Sequence, residues 1–241
     1  MTSGRGWRLG ALVLLTAASY PLGLALGRRL LLPVLNTAPA YAILVLLVRS
    51  GRRREAVQAM LLWAAVLAVA GTCAFAAWPV DPGPLVLNGP EYRDEMLHWI
   101  RTGQGAESSP RLFLPQHLAH LAGFVALSLV SASAAGITLG AVLMNYMGYY
   151  VASLFRAGVP IHAVVLLGWQ PWAVCRVAGF CVLGVVLAEP LLAVLRPYRY
   201  EGLGAARPYL IAGGVLILAD WALKAALAPW WGLWLRRLLP A

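Results

Sequence analysis

Long apolar runs separated by short basic or Pro/Gly-rich breaks dominate the chain from residue 9 onward. A helix needs about 20 apolar residues to cross a bilayer core, and residues 9–26, between Arg5/Arg8 and Arg28/Arg29, meet that need. A basic start and an apolar run also fit a signal peptide, but further runs follow and no small-x-small cleavage site precedes the polar flank. The second run, 30–48, carries Pro33 and Pro39, which kink a helix unless neighbours take up the freed carbonyls. Arg49-Ser-Gly-Arg-Arg-Arg54 then puts four arginines in one turn, which places that turn, and with it the N-terminus, in the cytoplasm. The third run, 56–78, ends in Trp78-Pro79, an interfacial aromatic followed by a helix breaker.

From 79 to 115 the pattern changes to a polar connection holding Asp81, Glu91, Asp94, Glu95 and Glu107, five of the nine acidic residues. Asn88-Gly-Pro90 followed by acidic residues reads as a helix start. At 100° per residue Glu91, Asp94, Glu95 and His98 share one face and Tyr92, Met96, Leu97, Trp99 and Ile100 the other, which predicts an amphipathic helix on the membrane surface. Residues 117–155 would make one helix of about 58 Å, twice a bilayer, so two spans, 117–135 and 137–155, are expected. Their turn falls in Ser131-Ala-Ser-Ala-Ala-Gly136, and Gly136 and Gly140 allow a close helix approach. Asn145, Tyr146, Tyr149 and Tyr150 give the later span a polar and aromatic stripe. Residues 157–170, bounded by Pro160 and Pro171, suggest a re-entrant segment. Spans at 172–195 and 208–228 follow, with Trp230, Trp231, Trp234 and Arg236-Arg237 at the interface. The fold class is therefore all-α, a polytopic transmembrane bundle of six to seven spans in one integral membrane domain. Loop arginines do not decide between six and seven.

Composition agrees, since 61% hydrophobic and 12% charged residues lie outside the soluble globular range. The formal charge of +10 would suit nucleic acid, but the arginines flank apolar runs, where they anchor and orient spans. The partners expected are the lipid bilayer and membrane proteins or a second copy, with no nucleic acid, in a bacterial-type inner membrane. Cys73, Cys175 and Cys181 all lie in apolar stretches without a C-x-x-C, and read as small buried hydrophobes.

Two polar constellations carry the candidate chemistry. On the outer face, Glu95-Met-Leu-His98, Glu107 and His117-Leu-Ala-His120 supply carboxylates and imidazoles at helical spacing, the donor set of a divalent metal or acid–base site. The same residues equally fit a solvated helix face and a helix start at headgroup level, and no cofactor is otherwise predicted. Within the membrane, where ionisable groups are costly, stand Arg176, Glu189, Asp220 and Lys224. Asp220 and Lys224, four residues apart, can pair on one helix face. Arg176 can snorkel outward, and Glu189 can reach the headgroups.

Neither G-x-x-x-x-G-K-[ST], H-E-x-x-H nor G-x-S-x-G occurs. Trp99-Ile-Arg101-Thr102 followed by His117-Leu-Ala-His120 is similar to the start of rhomboid intramembrane proteases, but no Gly-x-Ser nucleophile follows. Gly136-Ile-Thr-Leu-Gly140-Ala-Val-Leu-Met-Asn145-Tyr-Met-Gly148, Pro160-Ile-His162 and Ile211-Ala-Gly-Gly-Val-Leu-Ile-Leu-Ala219 running to Ala228-Pro229 resemble the stage II sporulation protein M family of bacterial membrane proteins. The resemblance covers roughly the second half of the chain. It departs after His162, where no acidic residue follows, and at Lys224, which stands in place of Glu. It implies a multi-span subunit of a membrane complex with a central cluster of Asn145 and His162, and no reaction. The expected function is thus a non-enzymatic scaffold or permease-like subunit with Asn145, His162, Asp220 and Lys224 lining an internal contact. The alternative is an outer-face enzyme using Glu95, His98, Glu107, His117 and His120.

Overall fold

The computed structural model describes residues 3–195 and 202–239, and among them it is all-helical. Nine α-helices occur among the described residues: α1 (Ser3–Ala25), α2 (Leu31–Arg49), α3 (Arg53–Ala77), α4 (Gly89–Thr102), α5 (Pro110–Val130), α6 (Ala134–Arg156), α7 (Ile161–Leu167), α8 (Pro171–Leu195) and α9 (Gly202–Leu238). Seven of them, all but α4 and α7, are long and apolar enough to cross a membrane. The 78–109 connection, α7 and the end of α9 meet at one end of the bundle, here the loop end. The Arg49–Arg54 turn and the start of α9 meet at the other.

Several boundaries move from their sequence positions, each for a local reason. α5 begins at Pro110, because Ser109 is extended and its carbonyl accepts from the backbone N–H groups of Leu112 and Phe113. Proline at the first helical position costs no hydrogen bond. The α5/α6 turn closes within 131–133, where Ala132 and Ser133 take positive φ, so Gly136 lies inside α6 rather than in the turn. The 157–170 segment holds only the seven-residue α7. α9 continues through Pro229 for 37 residues. Its extension is held by Trp231 Nε1 donating to the Leu167 carbonyl (2.8 Å) and Arg236 Nε donating to the Ile100 carbonyl (2.7 Å). Pro33 falls in the first turn of α2, leaving Pro39 as the interior proline.

In lipid the hydrophobic effect does not drive one apolar helix against another, so close packing and interhelical hydrogen bonds must hold the bundle. A methyl on Gly71 of α3 would come 2.6 Å from the Tyr20 hydroxyl of α1. Gly179 and Gly213 bring α8 and α9 together, a Cβ on Gly213 meeting Leu183 Cγ at 2.6 Å. At the α5/α6 hairpin a Cβ on Gly136 would overlap Ser128 Oγ and stand 3.2 Å from the Phe124 carbonyl oxygen. Gly140, by contrast, faces open space.

A neutral polar chain crosses the middle of the bundle. Tyr20 donates to Asn145 Oδ1 (2.8 Å), Asn145 Nδ2 to Asn36 Oδ1 (2.8 Å), and Asn36 Nδ2 to Ser19 Oγ (2.7 Å). Trp63 Nε1 donates to the Asn36 carbonyl at 2.9 Å. The chain fixes α1, α2, α3 and α6 in one register, and every donor named is matched inside the protein, as a membrane interior requires.

Gly136→Val should lower the thermal midpoint in detergent, because overpacking costs about 1–3 kcal/mol. Ser128→Ala, which removes the first atom struck, should restore part of it. An unchanged midpoint would mean that the hairpin is not closed at this contact.

Candidate functional site

One group of buried charges gathers beneath the loop end. Asp220 of α9 is 0% exposed. Arg176 of α8 donates to it through Nε (3.1 Å to Oδ2) and Nη2 (3.3 Å to Oδ1). His117 Nδ1 of α5 lies 3.2 Å from Asp220 Oδ2, a close polar contact not aligned as a hydrogen bond. One turn further along α9, Lys224, 2% exposed, donates to Glu107 Oε1 at 2.7 Å. Lys224 Nζ also sits 4.9 Å from the centre of the Phe113 ring, which in turn packs on His117. Asp220 and Lys224 both face the bundle interior, but they do not pair as their i, i+4 spacing suggested. Each reaches a different part of the chain, because the partners on α8 and in the 103–109 segment lie closer than one turn of the same helix. Arg176 likewise turns inward instead of snorkelling.

Sequence spacing grouped Glu95, His98, Glu107, His117 and His120 as one outer set, and the fold divides it. Glu95 and His98 are exposed on α4. Glu107 and His117 are buried with the separate partners above. His120 follows one turn after His117, and its Nδ1 is buried without a hydrogen-bond partner. No group of three or more His, Cys, Asp or Glu placed to hold a metal ion occurs among the described residues. The implied Asn145/His162 cluster does not form: Asn145 belongs to the mid-bundle chain, whereas His162 is exposed at the start of α7, beyond the end of α6. Glu189 does not reach the surface either. It is buried and receives Arg53 Nη2 at 2.8 Å, while Arg53 Nη1 caps the Ala205 carbonyl at 2.9 Å. Cys181 is buried, Cys175 intermediate and Cys73 exposed.

α4 covers the charge network. Its two faces divide as the 100° spacing predicts, with Glu91, Asp94, Glu95 and His98 exposed and Met96, Trp99 and Ile100 buried. The apolar face, however, packs on the protein instead of lying on lipid: Tyr92 stacks against Tyr146 at 4.5 Å, and Trp99 lies against Gly232. Tyr149 ties the connection down, accepting from Arg93 Nη1 and donating to Asp81 Oδ1, both at 2.8 Å. The Arg93 hydrogen bond holds the Asp94 carboxyl below its ordinary range, whereas partial burial, reinforced by nearby Glu107, pushes the Glu95 carboxyl up.

Sequence reasoning missed Glu107 as the partner of Lys224, Arg53 as that of Glu189, and Asn36 with Tyr20 as partners of Asn145. A usable signal was present for Asn36, a lone amide in an apolar helix. For the ion pairs the only signal was that buried charges need counter-ions.

The seven spans and the inward-facing charges define a multi-pass membrane protein. Comparisons with family models, with curated proteins and with solved structures give no match.

Removing one member of a buried pair strands the other, at about 3–5 kcal/mol. Lys224→Met alone should therefore lower thermal stability in detergent strongly, while Glu107→Gln/Lys224→Met recovers most of the loss. Equal stability of the single and double variants would contradict the pairing. Glu95 should act in the opposite sense to a paired carboxylate. Its raised folded pKa means that its favourable contribution is complete below the unfolded value of about 4.3 and is lost as pH rises through the folded value. Glu95→Gln should consequently raise the midpoint by roughly a degree at pH 7 and leave it unchanged at pH 4, in parallel melting curves.

Proposed function

We propose that this chain is a non-enzymatic, permease-like subunit of a bacterial-type inner membrane, with its N-terminus in the cytoplasm and the loop end outside. The four-arginine turn supports that orientation. The observation that carries the function is Asp220: a carboxylate with no exposed surface, on a helix long enough to span, held by Arg176 and His117 from two other spans. Ionisable groups so placed mark ion or proton routes by default. His117, and His120 one turn further along α5 from the loop end, extend the titratable set along that helix into the bundle. The resemblance to the stage II sporulation protein M family, borne by parts of α6 and α9, fits a subunit of a membrane complex. Partner membrane proteins or a second copy belong to this reading.

An outer-face enzyme is the second reading, favoured by the 3.2 Å contact of His117 with Asp220, which resembles a general base beside an orienting carboxylate. Stoichiometric divalent metal in the purified protein, lost in His117→Ala/His120→Ala, would move the assignment there.

Liposomes containing the protein and an internal pH dye test the first reading. Under an imposed membrane potential, proton entry should exceed that of protein-free vesicles and should fall to background in Asp220→Asn. Entry equal to protein-free vesicles in the native protein would remove the permease-like role and leave a scaffold.

A further inference from the structure

Beside the charge network the bundle is not closed. A narrow slot with a cavity volume of about 50 Å³ lies among α2, α3, α5, α6 and α8. Along α6 it extends from Ile137 to Met147, ten residues or about 15 Å of helix. Its walls are almost entirely apolar and include Met60, Met144 and Met147, whose flexible thioethers adapt to an irregular guest.

One end of the slot is different. Arg176, Tyr92 and Tyr146 line it there. Two nitrogens of Arg176 are engaged by Asp220, but Nη1 makes no hydrogen bond among the described residues, and 18% of the side chain stays open although the residue lies inside the bundle. Neither the Tyr92 nor the Tyr146 hydroxyl makes a hydrogen bond among the described residues. A long apolar slot thus ends at three donors that lack acceptors.

We propose that this slot binds one hydrocarbon chain headed by a carboxyl group, a free fatty acid, with its acceptor oxygens on Arg176, Tyr92 and Tyr146. α4, carrying Tyr92, lies over this end, and that cover favours a small headgroup over the bulky one of a phospholipid. The site stands independently of whether the subunit conducts protons.

Gly140 makes the test clean. It lines the slot, and a Cβ built on it meets nothing within 4 Å, so Gly140→Leu starts a side chain into the space without displacing a neighbour at its first atom. Gly123 of α5 also faces open space but does not line the slot, and Gly123→Leu is the control. The probes are palmitate and a phosphatidylcholine, each bearing a mid-chain diazirine, photolysed with the full-length protein in nanodiscs and mapped by mass spectrometry.

Palmitate should label the α6 and α8 segments around Met144 and Cys181. Excess unlabelled palmitate should compete, Gly140→Leu should reduce labelling about tenfold, and Gly123→Leu should leave it unchanged. Hexadecanol, with one oxygen in place of two, should compete more weakly. If Gly140→Leu does not fold, Leu143→Trp serves as the second filling variant. Labelling spread over the lipid-facing sides of α1 and α9, or insensitive to the filling variants, would overturn the proposal. Labelling of the slot by the phosphatidylcholine probe alone would do the same, assigning the space to an ordinary bilayer lipid.

Discussion

A carboxylate placed where water cannot reach it must be matched by a cation, and Asp220 imposes that condition on three helices at once. Meeting it requires Arg176 to turn into the bundle and His117 to sit level with both. The heights of α5 and α8 against α9 follow. The same helix carries Lys224 one turn away, so the position that satisfies Asp220 also decides where Glu107 must be held, and with it the path of the connection beneath α4. Removing water from such pairs is expensive, and their attraction repays the cost only with good geometry and further hydrogen bonds. Their value here lies in selecting one arrangement of apolar helices that could otherwise slide.

Charged and neutral polar groups hold different sets of helices together. The ion pairs tie α8 to α9 through Arg176 and Asp220, and α3 to α8 through Arg53 and Glu189. α1, α2 and α6 are crosslinked instead by uncharged amides and hydroxyls, Ser19, Asn36, Asn145 and Tyr20. Register among those helices is fixed by groups that keep their hydrogen bonds without carrying charge. Small residues complete the arrangement by letting backbones approach where neither kind of polar group lies.

The spans were legible because each is a local run of apolar residues, and α4 because its two faces repeat at the helical period. Helix ends were less so: Pro229 looks like a terminator in sequence, yet α9 passes through it because Trp231 and Arg236 find partners on α7 and α4. Burial of Asp220 and Lys224 could be read from their neighbours in sequence, but their partners could not. Lys224 stands four residues from Asp220 and bonds Glu107, 117 residues away. Spacing along one helix is visible in sequence; the distance between helices is a property of the packed bundle. For the same reason Glu95, His98, Glu107, His117 and His120 looked like one set.

That separation along the chain also has a meaning in time. Ribosomes add about 5–20 residues per second, so Glu107 is synthesised on the order of 10 s before Lys224. During that interval the carboxylate lacks the cation it meets in the folded bundle, and α9 arrives as the member that fastens what was inserted before it. Closure of the loop end therefore waits for α9 to be made and inserted.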